Sequence, residues 1–142
     1  MKNNKLLTIM LIILVTITLI GVIVFVLLTQ LNKEPVSAEL TIDEIVLASV
    51  DVPELTTNLA DKRIVRLQLK IQTSNEDAAA ELTKRDFQTN NIIIQELSEM
   101  TQENLEGKQG KIAFQNAIKA QLNELMQEGE VQQVYITSYI IQ

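Results

Sequence analysis

Carboxylates are the most plentiful reactive groups in this chain. Asp43–Glu44 and Glu76–Asp77 stand as adjacent pairs. A hard-cation site or a glycosidase-type reaction needs acids that converge on one cleft. Neighbouring residues diverge by about 100° on a helix and point to opposite faces of a strand, so neither pair forms a clamp. The calcium-loop pattern D-x-[DN]-x-[DN]-G is absent. Gly107-Lys108 and Gly110-Lys111 share residues with a phosphate loop, but the G-x-x-x-x-G-K-[ST] spacing is missing. The 142 residues include no His and no Cys, which excludes the usual general base, a thiolate nucleophile and a zinc–thiolate site. Carboxylate, Lys, Tyr and Ser/Thr chemistry stays open, yet nothing sets a nucleophile beside a base. The expectation is no catalysis, no metal site and no cofactor.

Two groups of residues bear on binding instead. Lys62, Arg63, Arg66 and Lys70 form the densest basic cluster. Its plain reading is the wet face of a strand; the sharper one is a contact for an acidic neighbour, such as the acidic side of an identical subunit. Tyr135 and Tyr139 are the two tyrosines. Four apart on a strand, they are expected on one face, as packing residues or as an interface patch. Arg66, Lys70, Tyr135 and Tyr139 are therefore the candidate self-assembly contacts.

These residues need elements to position them. Ile64–Thr73 alternates Val65, Leu67, Leu69 and Ile71 with Arg66, Gln68, Lys70 and Gln72, which predicts a strand with one buried and one wet face. Leu40–Val52 is rich in β-branched residues and reads as an extended segment or edge strand ended by Pro53. Thr56–Asp61 reads as a turn. Ser74 is expected to cap a helix, with Asp77 three residues on as its capping-box partner. Phe87–Met100 reads as a second helix, and Thr101–Gly110 as a loop containing two glycines. Lys111–Gln127 reads as a third helix with the stripe Phe114, Ile118, Leu122 and Leu125, stopped by Gly129. Val131–Ile141 reads as a strand with apolar residues on both faces, hence a central strand or one covered by a partner. The resulting class is α+β: about three helices packed on a small sheet.

The first residues are of another kind. Leu6–Leu28 carries no charge. As a helix it is roughly 34 Å long at about 1.5 Å per residue, enough to cross a hydrocarbon core of about 30 Å. A cleaved signal sequence has an apolar core of about 7–15 residues, so the longer stretch reads as an uncleaved anchor. Its threonines can bond back to their own helix. Lys2 and Lys5 precede the span, and Lys33 follows it beside Glu34, which predicts a cytoplasmic N-terminus. Those three lysines are the only charges before Glu34, so the rest carries 9 basic and 18 acidic residues. So acidic a body does not suit a nucleic-acid binder. The expected organisation is a cytoplasmic N-terminus (1–5), a transmembrane helix (6–28), a linker (29–39) in which Pro35 stops the helix, and an extracytoplasmic domain (40–142).

This arrangement resembles the FliL family of flagellar basal-body-associated proteins. The motifs that carry the resemblance are Thr57-Asn58-Leu59-Ala60-Asp61 before the alternating strand, Glu81-Leu82-Thr83-Lys84-Arg85-Asp86-Phe87 with Ile92-Ile93-Ile94 and Glu96-Leu97 after it, Leu122-Asn123-Glu124-Leu125-Met126, and the terminal Val134-Tyr135-Ile136-Thr137-Ser138-Tyr139-Ile140-Ile141-Gln142. The short linker and the lack of Cys resemble a Gram-positive, Bacillus-like member. The resemblance implies a domain of the stomatin/prohibitin (SPFH-like) type and a place in the cytoplasmic membrane at the flagellar basal body. It also implies association with stator units, a homo-oligomeric ring, and support of torque in swimming or swarming without enzyme activity. It carries over no catalytic residue. The alternative from another class is a membrane-tethered binding module for a cell-wall fragment or solute, which requires a ligand-sized pocket with converging polar groups.

Overall fold

A computed structural model of the chain describes residues 2–31 and 39–142. The chain divides into two compact units, Met1–Glu39 and Leu40–Gln142. In the first unit, α1 spans Lys2–Leu31. Asn4–Thr29 of it is long and apolar enough to cross a membrane, and none of that stretch is buried. Thr8 Oγ1 donates to Asn4 O at 2.6 Å and Thr16 Oγ1 to Ile13 O at 2.8 Å, so the hydroxyls are satisfied within the helix as expected. Residues 29–31, expected to begin the linker, continue α1. The expected helix stop at Pro35 lies outside the described residues.

The second unit is built from α2 (Ile42–Leu47), β1 (Ser49–Asn58), β2 (Ile64–Thr73), α3 (Glu76–Lys84), α4 (Asp86–Glu99), α5 (Gln102–Leu105), α6 (Gly107–Asn123) and β3 (Val131–Ile141). The sheet order is β1-β2-β3, with both pairings antiparallel. The class is α+β as expected. The alternation in β2 does what period two requires: Val65, Leu67, Leu69 and Ile71 are buried against α3, α4 and α6, while Ile64, Arg66 and Gln68 are exposed. The core gathers Leu82 of α3, Ile92, Ile93 and Leu97 of α4, and Phe114, Ile118 and Leu122 of α6 over that face.

Several boundaries differ from the sequence reading, each for a local reason. Ile42–Leu47 is helical despite its β-branched residues, because Thr41 and Glu44 form a capping box that satisfies the free amides of its first turn. Pro53 does not end an extended segment. It lies inside β1, at a register shift between Val52 and Leu55, where an edge strand tolerates its missing N–H. Thr56–Asn58 is therefore strand, not turn. The cap of α3 is Asn75, whose side chain accepts from Ala78 N at 2.8 Å. Ser74 Oγ instead accepts from Glu130 N at 3.1 Å. Within the expected loop Thr101–Gly110, a Thr101/Asn104 capping box starts α5, and α6 already begins at Gly107.

β3 is an edge strand, not a central one. Its register skips Gln132 and Thr137. Each skip turns the following residues over. Val131, Val134, Ile136, Tyr139 and Ile141 thus reach the core, although they do not share parity. Two side chains of α6 hold the first half of this edge. Asn123 accepts from Val131 N at 2.6 Å and donates to Val131 O at 3.1 Å, and Gln115 donates to Val134 O at 2.7 Å. The loop between α6 and β3 needs Gly129, whose φ of +126° is closed to other residues. Where the chain enters β1, Ala48 is buried and its carbonyl accepts from Thr73 N at 2.7 Å, with Thr73 Oγ1 also 2.7 Å away.

Candidate interaction surface

One face of the sheet carries the helices; the other carries none of the buried core. Period two places Asp51 and Thr56 of β1, Arg66 and Lys70 of β2, and Tyr135 and Ile140 of β3 on that uncovered face. Three of the four candidate contacts are therefore brought together. The fourth is not. The skip at Thr137 sends Tyr139 to the core side, half-buried, with the Lys111 ammonium 4.7 Å from its ring centre. The expectation that the two tyrosines share a face fails, because parity is lost at a bulge. Burial and the nearby Glu106 carboxylate push the Tyr139 hydroxyl pKa up.

The charges on the uncovered face are already matched. Lys70 Nζ lies 2.8 Å from Asp51 Oδ1, and Arg66 Nε lies 3.4 Å from Glu54 Oε1. Both pairs join β2 to β1 and are open to solvent, so each contributes little to stability. Their consequence is that this face presents no strong single-sign field. Tyr135 Oη is 3.0 Å from Gln72 Oε1. Tyr135 and Ile140 are 44% and 48% exposed, leaving apolar surface flanked by paired charges, as at the rim of a protein contact.

The other chemical groups serve the fold. Glu44 closes the cap of α2, and Glu76 and Asp77 occupy the first turn of α3. Lys111 Nζ donates to Leu105 O at 3.1 Å and Gly107 O at 3.4 Å, so the amine of the second Gly-Lys pair ties the end of α5 to the start of α6. Among the described residues, no cluster of three or more acids is placed to hold a metal ion. An open groove of about 720 Å³ runs past Asp77, Glu81, Lys84, Arg85, Phe87 and Gln127. Its central polar groups are engaged with one another rather than aimed at a ligand.

Glu81 lines that groove; in the sequence it appears only within a family motif, with no role of its own. Its carboxylate accepts from Gln127 N at 2.9 Å, Glu128 N at 2.7 Å and Arg85 Nε at 2.7 Å. The Glu128 and Gln127 amides hold its pKa below the usual carboxylate value, and Arg85 adds to them. No local signal joins residues 46 apart. A depressed folded-state pKa stabilises fully above the unfolded value near 4.5 and is lost as pH falls through the folded one. Acidification from above the unfolded value to below the lowered folded one should thus release the α6–β3 loop from α3. Glu81→Gln is expected to lower the melting temperature at neutral pH and to flatten its fall on acidification. Parallel melting curves for the two proteins would show that Glu81 is not a latch.

The comparisons follow the same boundaries. Residues 49–142 match the family model described as flagellar basal body-associated protein FliL. The chain belongs to the FliL family. The match begins at the first residue of β1 and takes in the whole sheet with α3–α6. The flagellar protein FliL of Bacillus subtilis (strain 168) is 42% identical over 111 residues, which are 78% of this chain and 79% of that one. The flagellar protein FliL of Aquifex aeolicus (strain VF5) is 25% identical over 93 residues, 63% of this chain and 58% of that one. The Bacillus-like character expected of a FliL-family member is thereby found.

Proposed function

We propose that this chain is a non-enzymatic accessory protein of the flagellar motor. The observation that carries the reading is the FliL-family match over 49–142 in a chain whose α1 is long and apolar enough to span a bilayer. In this reading α1 anchors the protein in the cytoplasmic membrane, Lys2 and Lys5 keep the N-terminus in the cytoplasm, and residues 40–142 form the extracytoplasmic domain. That domain, of the SPFH-like type, associates with stator units at the basal body as a homo-oligomeric scaffold and supports torque in swimming or swarming. Confinement to one membrane raises the effective concentration of copies, so weak contacts suffice. The uncovered sheet face, with Arg66, Lys70 and Tyr135, flanks the surfaces offered to neighbours; Tyr139 lies on the core side and supports β3 from there.

A fluorescent fusion to the N-terminus, imaged beside labelled basal bodies in cells with and without stator proteins, tests this. Foci on basal bodies that fade without stators are expected. A uniform membrane signal indifferent to both would return the chain to a tethered binding module.

A further inference from the structure

The sheet has two free edges, and their hydrogen-bonding phase can be read from the bonds that close its ends. Ile64 and Gln142 exchange N–H···O bonds at 3.0 and 2.9 Å. Alternate β2 residues from Ile64 onward therefore bond to β3, and Tyr139 and Ile141 turn their amides and carbonyls away from the sheet. On the other side Leu59 N donates to Arg63 O at 2.8 Å. The odd-numbered β2 residues thus bond to β1, and Thr56 and Asn58 turn theirs outward. Among the described residues, none of these four outward backbones has a hydrogen-bond partner.

Both open stretches lie at one end of the sheet. Leu55, Leu67 and Tyr139 share one level across the three strands, and Thr57, Val65 and Ile141 another. At the opposite end each edge is blocked. β3 is capped there by Asn123 and Gln115. β1 is interrupted by the exposed charge of Asp51, the missing N–H of Pro53 and its bulge. Beyond the blocks and the β3 bulge at Thr137, the stretches 55–58 and 138–141 are in regular register with β2 and lack the charges, Pro and Gly that keep edge strands apart. Leu55–Asn58 has no charge, and β3 has no charge, Pro or Gly along its whole length. The cations that could have repelled a neighbour are neutralised by Asp51 and Glu54.

We infer that residues 138–141 of one copy pair edge to edge with residues 55–58 of a second copy, continuing one sheet through both. This rests on the self-association proposed above and names its contact. β1 and β3 both run antiparallel to β2, so the junction is a parallel pairing that keeps the helices of both copies on one side. Each copy offers a different edge, so the contact is heterologous and propagates head to tail. Four residues of strand span about 13 Å. That contact is far smaller than the roughly 800 Å² per partner of a standard interface, so it suits copies held in one membrane rather than free partners. Because this chain carries both open edges at the same level of its sheet, the occupant is a second copy of this chain.

Cysteine pairs in the full chain, in cell membranes, test the junction without interference, because the sequence has no Cys. Thr56 and Ile140 are exposed on the uncovered face. Neighbouring strands bring such residues within disulfide range. Thr56→Cys combined with Ile140→Cys, or with Ser138→Cys one rung along, should give a ladder of dimers, trimers and larger species on oxidation. Each single variant, and Thr56→Cys combined with Gln68→Cys on the central strand, should stay monomeric. Covalent dimers from Ile140→Cys alone would overturn the inference in favour of a two-fold contact. No ladder, while differently tagged copies still co-purify, would remove this junction and leave self-association standing. Failure of the copies to co-purify would sink both.

Discussion

Replacing Phe114 with alanine is expected to cost about 3–5 kcal/mol. Phe114 is 1% exposed, and it is the only phenylalanine in the core, Phe25 and Phe87 being largely exposed. It projects from the middle of α6 between α4 and the sheet, so its removal leaves a cavity where three elements meet. A domain of this size has about 5–15 kcal/mol in total, so the loss is a large share of it. Urea titration of the detergent-solubilised full chain, read by pulse proteolysis, would show a large fall in the midpoint. Phe114→Leu should recover most of that fall. Phe87→Ala, at a side chain 69% exposed, should move the midpoint within about 0.5 kcal/mol. Equal shifts for Phe114→Ala and Phe87→Ala would mean that α6 does not close the core.

Gly110→Ala is expected to destabilise by about 1–2 kcal/mol, the overpacking cost less the helix-propensity gain, against the direction that propensity alone gives. Alanine inside a helix is worth about 1 kcal/mol over glycine, and Gly110 lies in the first turn of α6. A methyl group there would overlap the Asn104 carbonyl oxygen and lie 2.9 Å from its carbon and 3.2 Å from the Leu105 carbon. All three atoms belong to the backbone of α5 or its neighbouring turn, so no side chain can swing aside. Relief requires α5 to move off α6, at the cost usual for overpacking, and it would disturb the buried Leu105. The same urea titration decides the matter. An unchanged or raised midpoint would mean that the α5–α6 junction gives way freely.

Regular period was legible in the sequence, and breaks in period were not. The bounds of β2 are legible because its ten residues alternate without interruption, from exposed Ile64 to buried Thr73. The stripe Phe114, Ile118 and Leu122 was equally plain, and all three are buried. The errors fall where a local device overrides composition. Thr41 and Glu44 turn a β-branched run into a helix, and the T-x-x-E spacing was present to be read. Thr101 and Asn104 do the same inside a stretch whose glycines suggested a loop. Bulges are the harder case. Nothing in V-Q-Q-V-Y-I-T-S-Y-I-I announces that Gln132 and Thr137 fall out of register, yet those two skips make an edge strand look double-faced and part Tyr135 from Tyr139. Of the candidate surface, Arg66 and Lys70 were placed by simple alternation. Their partners Asp51 and Glu54 depended on pairing between strands, which single-strand patterns do not encode.

The bond pair at Ala48 has a mechanical meaning. Tension entering the second unit at Leu40 travels through α2 and meets the sheet where the chain enters β1. There the Ala48 carbonyl is held by the Thr73 amide, with the Thr73 hydroxyl beside it, in a site closed to water. An edge strand fails easily when its bonds open one after another from a loose end. Here the end that would open first is the one fastened to a buried residue of the central strand. A pull along β1 must then shear its eight paired positions together rather than peel them in turn. The domain can therefore bear load applied through its N-terminal end.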